Sequence, residues 1–221
     1  VARLRKLPDE EAFKLLEEYN IPIPAYSIVE TPEEAGLAAE KIGFPVVIKV
    51  VSPDISHKSD VGGVVVGLNS ALEVVEAARR MLERAKERAP SARITGILVQ
   101  KMARPGVEVI IGGLRDPVFN VTLMFGLGGV FTELLRDVSF RVWPITERDA
   151  IEMINEIKGS PLLRGYRNIP PVDVKSLAEI VTKLGEIFEK HPELHSADLN
   201  PVIAYQEGAL VVDARFIVRE D

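Results

Sequence analysis

Apolar residues along this chain keep two rhythms. The run Val46-Val-Ile-Lys-Val-Val51 is apolar except for Lys49, the pattern of a strand covered on both faces. Elsewhere the spacing is helical: Ala12, Phe13, Leu15, Leu16 and Tyr19 stand among acids, which predicts an amphipathic helix over 9–20 ended by Asn20 and the Ile-Pro-Ile-Pro that follows. Tyr26–Val29 predicts a short strand. Thr31-Pro-Glu-Glu34 combines an N-cap, a first-turn proline and a capping acid, predicting a helix to about Ile42 that stops at Gly43. Ser70-Ala-Leu-Glu73 opens a second capped helix, with Leu72, Val75, Ala78, Leu82 and Ala85 on one face and an end near Pro90. With Val64–Leu68 and Ile97–Val99 as strands, residues 1–99 read as an α/β unit.

From Gln100 the texture changes. Val107–Ile111, Val118–Phe125 and Phe140–Val142 are apolar runs joined by Gly-Gly, Arg-Asp-Pro and glycine-rich turns, which predicts a mainly antiparallel sheet and a second lobe over 100–221. Thr146–Ile157 and Asp173–Lys190 read as capped helices, and the final strands fall near Leu199–Tyr205 and Leu210–Val212 around a Gln-Glu-Gly turn. No internal repeat or low-complexity tract is present. The fold class is therefore α/β in the broad sense, or α+β, in two lobes.

Composition narrows the function. The 221 residues are 47% hydrophobic and 27% charged, with a net charge of −6; a core is affordable, and non-specific binding to nucleic acid or an anionic membrane is not expected. No apolar run approaches the roughly 20 residues of a membrane span, and no apolar segment follows the N-terminal basic residues as in a signal peptide. The lack of cysteine fits a reducing compartment, so the cytoplasm is expected; together with only two glutamines, Gln100 and Gln206, it hints at a thermophilic source.

Candidate chemistry centres on Lys49. An ammonium in a doubly covered strand needs an anionic partner, so it reads either as a phosphate-binding lysine or as a strand-edge lysine with its head in water. The strand empties into Ser52-Pro-Asp-Ile-Ser-His-Lys-Ser-Asp-Val-Gly-Gly63, where His57 lies in a stretch with little to pack against. A neutral imidazole there is a nucleophile able to accept a phosphoryl group. Gly126-Leu-Gly-Gly129 is either an ordinary turn or a loop whose backbone approaches phosphate. Asn200 and Asp213, at adjacent strand ends, suffice for magnesium, or else form a turn before Pro201 and a strand cap. Glu108 and Arg141 interrupt apolar strands and either serve a ligand or face solvent. His191 and His195 read as structural. Zinc, nucleophile-elbow and Walker sequences are missing.

Taken together, Gly43-Phe-Pro-Val-Val-Ile-Lys49, the His57 loop, Val99-Gln-Lys-Met102, Gly126–Gly129 with Phe131-Thr-Glu133, and Asp198-Leu-Asn-Pro201 through Asp213 resemble the ATP-grasp superfamily. The Ser-His-Lys-Ser-Asp-x-Gly-Gly stretch narrows the resemblance to the nucleotide-binding β subunit or domain of ADP-forming acyl-CoA synthetases, such as ADP-forming acetate–CoA ligase. The resemblance implies ATP or ADP with Mg2+ between two α+β lobes. It implies that Val47 and Lys49 contact the nucleotide, Lys49 through phosphate oxygens, and that the backbone of Gln100, Lys101 and Met102 meets adenine. Glu108, Gly126, Gly128, Gly129 and Arg141 are further nucleotide or phosphate contacts, and Asn200 and Asp213 bind the metal. His57 takes the position of the histidine that carries phosphate from a CoA-binding α subunit to ADP. No Gly-x-Gly-x-x-Gly opens a βαβ unit here, so the CoA-binding half is expected as another chain or domain. Two alternatives remain at this point: an ATP-grasp carboxylate–amine ligase in which His57 is incidental, and a non-catalytic nucleotide-sensing domain of a fused acyltransferase.

Overall fold

The computed structural model describes residues 3–55, 57–129 and 136–220. Its residues fall into two compact units: Pro8–Glu10 with Pro24–Arg104, and residues 3–7 with Glu11–Ile23 and the chain from Pro105 onward. The strand β1 (Arg3–Lys6) belongs to the second unit because it pairs antiparallel with β11 (Ala214–Glu220). Residues 1–99 therefore do not all fall in one unit, as the expected division had them.

The first unit holds β2 (Tyr26–Val29), α2 (Pro32–Ile42), β3 (Val46–Val51), β4 (Val64–Leu68), α3 (Ala71–Arg88) and β5 (Gly96–Lys101). The sheet order is β2-β5-β3-β4, every neighbouring pair antiparallel. Each helix thus crosses over one intervening strand. Thr31 and Ser70 cap the helices through their hydroxyls, as the capping-box spacing predicts. Ala35, Ala39, Val74, Ala78 and Met81 of the helices pack on Val46, Ile48 and Val50 of β3 and on Ile97 and Val99 of β5. Alternation then turns Val47, Lys49, Leu98 and Gln100 to the opposite face.

The second unit is built on α1 (Asp9–Glu18, from Glu11), β6 (Val107–Asp116), β7 (Asn120–Leu127), β8 (Val138–Val142), α4 (Glu147–Glu156), α5 (Ser160–Leu163), α6 (Val174–Lys190), β9 (Leu194–Ala204), β10 (Ala209–Val211) and β11. The sheet order is β1-β11-β9-β6-β7-β8, with β10 also on β9, and its strands pair antiparallel as the turn-joined apolar runs predict. Helices α4 and α6 pack on β6, β7 and β8. Val109 and Ile111 of β6, Leu123 and Phe125 of β7, and Leu184 and Phe188 of α6 are fully buried there. Gly113 has no side chain because Phe188 fills that space; a Cβ would lie 2.3 Å from its ring. On the other face, Glu108, Ile110, Gly112 and Leu114 of β6 stand with Asp198 and Asn200 of β9, as the Gly112–Asp198 register requires. No helix among the described residues is long and apolar enough to cross a membrane.

Candidate active site

Lys49 is 5% exposed and Gln100 1% exposed. Register sets Val47 opposite Gln100 and Lys49 opposite Leu98, so Val47, Lys49 and Gln100 share the face the helices leave uncovered. The doubly buried strand inferred from the apolar run is present: every residue of β3 is buried. The stretch after Gln100 is already engaged. Lys101 N–H donates to the Ala25 carbonyl at 2.8 Å and Met102 N–H to the Pro45 carbonyl at 3.1 Å. The Lys101 ammonium turns back to the carbonyls of Gly43 and Phe44, at 2.9 and 2.6 Å. It holds the turn into β3 in place.

His57 lies between β3 and β4 and is exposed. Its ring makes no hydrogen bond or ion pair among the described residues. The backbone beyond it closes into a compact turn: Asp60 N–H to the His57 carbonyl at 3.2 Å, Gly62 to Ser59 at 3.0 Å and Gly63 to Lys58 at 2.7 Å. Gly62 has φ +67°, and a Cβ on Gly63 would lie 2.4 Å from Val50, which is why a glycine pair ends the loop. Ser56 lies outside the described residues.

In the second unit Gly128 N–H donates to the Glu108 carbonyl at 2.8 Å, and a Cβ on Gly128 would sit 2.9 Å from Glu108 Cβ. Gly129, at φ +65°, follows beside the same glutamate. Glu108, Gly128 and Gly129 therefore form one group. Gly126 differs: it is a buried ladder position between Ile110 and Val138, and a side chain there would strike Val138 at 2.8 Å. Its glycine is explained by strand packing. Phe131, Thr132 and Glu133 lie outside the described residues.

Asn200 and Asp213 meet where β9 and β11 converge. Asn200 N–H donates to the Asp213 carbonyl at 3.1 Å, and Asp213 Oδ1 accepts from Ala214 N–H at 3.0 Å. Asn200 faces a hollow of about 520 Å³ floored by Ile110, Leu114, Met124 and Phe140. Among the described residues no three His, Cys, Asp or Glu side chains cluster. An amide and a carboxylate, both hard oxygen donors, fit magnesium, which keeps most of its shell for water and phosphate.

Sequence reasoning left two neighbours out of this group. Asp198 shares the hollow with Asn200, and Arg215 is paired with Asp198 in register. Desolvation, reinforced by the negative charge of Asp213 and opposed by Arg215, raises the Asp198 carboxyl above the usual range. Arg215 Nε is buried with no hydrogen-bond partner among the described residues. The signal for both was the period-2 alternation Asp198, Asn200 and Asp213, Arg215.

Arg141 stands apart. On β8 the Ser139 hydroxyl donates to the Met153 carbonyl of α4 at 2.7 Å, so alternation turns Arg141 to the same, helix-covered face. There Nη1 donates to Glu156 at 2.8 Å and Nη2 takes the second carboxylate oxygen. The pair holds the Glu156 carboxyl below the usual range and the guanidinium above its own. The structure does not bring Arg141 to the face of Asn200 and Asp213. His191 meets Glu193 at 3.1 Å and Tyr19 edge-on, and His195 meets Arg219 at 3.3 Å.

A family model described as an ATP-grasp domain matches residues 2–218, and the chain belongs to that family. Within it, the chain groups with the ADP-forming acid–CoA ligases. It is 46% identical over 217 residues to the β subunit of ADP-forming acetate–CoA ligase I of Pyrococcus furiosus, covering 98% of this chain and 94% of that subunit. The longer ADP-forming acetate–CoA ligase I of Archaeoglobus fulgidus is 44% identical across 96% of this chain, which spans 31% of that relative. Acetyl-coenzyme A synthetase 1 of Candidatus Korarchaeum cryptofilum, solved with coenzyme A and Ca-AMPCP, matches with a TM-score of 0.95 at 51% identity, covering 97% of this chain and 94% of that one. The same Korarchaeum protein has been solved with its phosphohistidine segment phosphorylated and, in complex with coenzyme A and Mg-AMPPCP, with that segment pointing towards the nucleotide binding site. The resemblance and fold class read from the sequence both hold.

Proposed function

We propose that the chain is the nucleotide-binding β subunit or domain of an ADP-forming acid–CoA ligase, which converts acyl-CoA, ADP and phosphate to carboxylic acid, ATP and CoA. His57 carries the phosphoryl group. The observation that supports this most is an exposed imidazole with no partner among the described residues, on a loop leaving the strand that buries Lys49. In the ATP-forming direction a terminal oxygen of ADP attacks phosphohistidine phosphorus; the P–N bond breaks as the P–O bond forms, and the ring, protonated on its other nitrogen, leaves as neutral imidazole. Such transfer depends on alignment and charge neutralisation more than on covalent chemistry. Lys49 offers a fixed cation for phosphate oxygens and Glu108 a polar contact beside the Gly128-Gly129 backbone. Asn200 and Asp213 would hold Mg2+, which supplies charge neutralisation when bound.

The reading includes a CoA-binding partner, an α subunit or an equivalent domain, since the Pyrococcus relative is named a β subunit and the Archaeoglobus relative is about three times as long as this chain. With a separate α subunit the enzyme is a hetero-oligomer, for which we propose a cytoplasmic location. Incubation with γ-labelled ATP and Mg2+, with and without the α subunit, tests it. Acid-labile label on His57 is expected, absent in His57→Asn while nucleotide affinity stays within about twofold. Ligase activity undiminished in His57→Asn would overturn the reading and leave the carboxylate–amine ligase.

A further inference from the structure

Immediately after His57, Lys58 is buried. Its ammonium lies 2.6 Å from Asp9 Oδ2, and the two side chains are 7% and 5% exposed. On the other side of the histidine, Ile55 is part of the apolar core under α2 and α3. The exposed ring is thus suspended between two buried anchors. Consecutive Cα atoms stay about 3.8 Å apart, so His57 cannot travel far while Lys58 is held. A second tether, Asp54 to Arg93, lies at the surface with Arg93 74% exposed; pairs of that kind contribute little. A buried pair behaves differently, because withdrawing one partner strands a desolvated charge.

We propose that Asp9 and Lys58 are a positioning pair, a latch that fixes the His57 segment in one of the two orientations a phosphoryl carrier needs and releases it for the other. The inference rests on His57 being that carrier. Neither residue touches the transferred phosphoryl group. Both act by setting how long the imidazole waits at one centre before moving to the next.

The test uses the full chain with its CoA-binding partner and the variants Asp9→Asn, Lys58→Arg and the exchange Asp9→Lys/Lys58→Asp, with Asp54→Asn as control. Two readouts are taken: amide hydrogen exchange over residues 57–63, and the separate rates of His57 phosphorylation by Mg-ATP and of its dephosphorylation by acetate and coenzyme A. In Asp9→Asn, exchange of the segment rises about tenfold or more while β3 and β5 stay protected, and the ratio of the two half-reaction rates shifts by at least about tenfold. Lys58→Arg keeps the charge and moves both readouts less; the exchange variant restores protection in part; Asp54→Asn changes either by less than about twofold. If Asp9→Asn does not fold, Lys58→Arg and the exchange variant carry the same two readouts. Unchanged exchange in folded variants, or both half-reactions reduced by one factor, overturns the latch. Failure of the carrier reading looks different: wild-type protein with its partner then shows no label on His57, whatever the exchange pattern.

Discussion

The four-stranded sheet buries a cation, whereas the seven-stranded sheet displays oxygen ligands. In both, the helix-covered face is apolar: Val46, Ile48 and Val50 in β3, and Val109, Ile111, Leu123 and Phe125 in β6 and β7. The chemistry sits on the opposite faces. Lys49 is closed away at 5% exposure, while Asp198 and Asn200 are exposed on β9 and Asp213 is half-buried. A buried ammonium keeps its direction and forfeits hydration, so it binds an anion without reorganising. Asp198 and Asn200 reach the surface, but the Asp198 carboxyl is partly desolvated, so a cation arriving there meets an incomplete water shell. On the proposed reading, one sheet is set in advance for phosphate and the other adjusts on binding the metal.

The sharpest way to break this contrast is Lys49→Met. Methionine keeps much of the side-chain volume and removes the charge, and with it an interaction that Lys49 makes inside the protein, so some loss of stability is expected. Calorimetry on the folded variant is expected to show ATP affinity weaker by about 10- to 100-fold, the worth of one charge-assisted contact. A loss of stability with ATP affinity unchanged would mean that the lysine serves the sheet and not the ligand.

Those two faces were unequally legible in the sequence. Lys49 announced itself because one charge in Val46–Val51 contradicts its surroundings, and contradiction is visible without a fold. Gly126 and Arg141 were harder to place for the complementary reason. A glycine demanded by Val138 across a ladder looks the same in one dimension as a glycine demanded by phosphate, and the face on which Arg141 emerges depends on register with β7 and on α4. The helices were located by their caps at Thr31, Ser70, Thr146 and Asp173, local signals that tertiary structure left alone. The strand β1 was missed because Arg3-Leu-Arg-Lys6 has the composition of a solvated tail and becomes a strand only through β11. The strand β11 was missed as well, although Ala214, Phe216 and Val218 alternate and are buried. Asp198 and Arg215 lay in the same unread alternation.

Next in size is Asp213→Asn. Losing the carboxylate leaves Mg2+ with neutral donors at this site, and the Mg2+ concentration for half-maximal His57 phosphorylation is expected to rise by about tenfold or more. Lys49→Met should leave that metal dependence in place, which separates the two faces by a titration. Equal Mg2+ requirements in wild type and Asp213→Asn would remove the residue from the metal site.

A smaller effect tests the adjusting face through pH. The folded-state carboxyl of Asp198 is raised by desolvation and by Asp213, so ionising it opposes folding. Its favourable contribution is complete below the unfolded value and is lost as pH rises through the raised folded value. Asp198→Asn should therefore melt at a higher temperature than wild type at neutral pH, with the gap narrowing as pH falls through the carboxylate range. Saturating Mg2+ should also narrow it, by masking Asp213. A gap independent of pH would show that the amide gains by packing or hydrogen bonding instead.

The smallest effect belongs to Arg141, the charged residue that alternation turns away from the ligand face. Its guanidinium is paired with Glu156 at the end of α4, and side-chain exposures of 24% and 53% make this a surface pair, worth about 1 kcal/mol or less. Arg141→Met is expected to lower the melting temperature slightly and to leave ATP affinity and His57 phosphorylation within about twofold of wild type. Because the Glu156 carboxyl is held down by this arginine, stability from the pair is present above the ordinary glutamate range and is lost as pH falls through the depressed value. The stability difference between Arg141→Met and wild type should thus shrink in acid, as it does for Asp198→Asn, but with wild type the more stable protein at neutral pH. A tenfold loss of nucleotide affinity in Arg141→Met would return this arginine to the phosphate site and show that the helix-covered face of the seven-stranded sheet also takes part in binding.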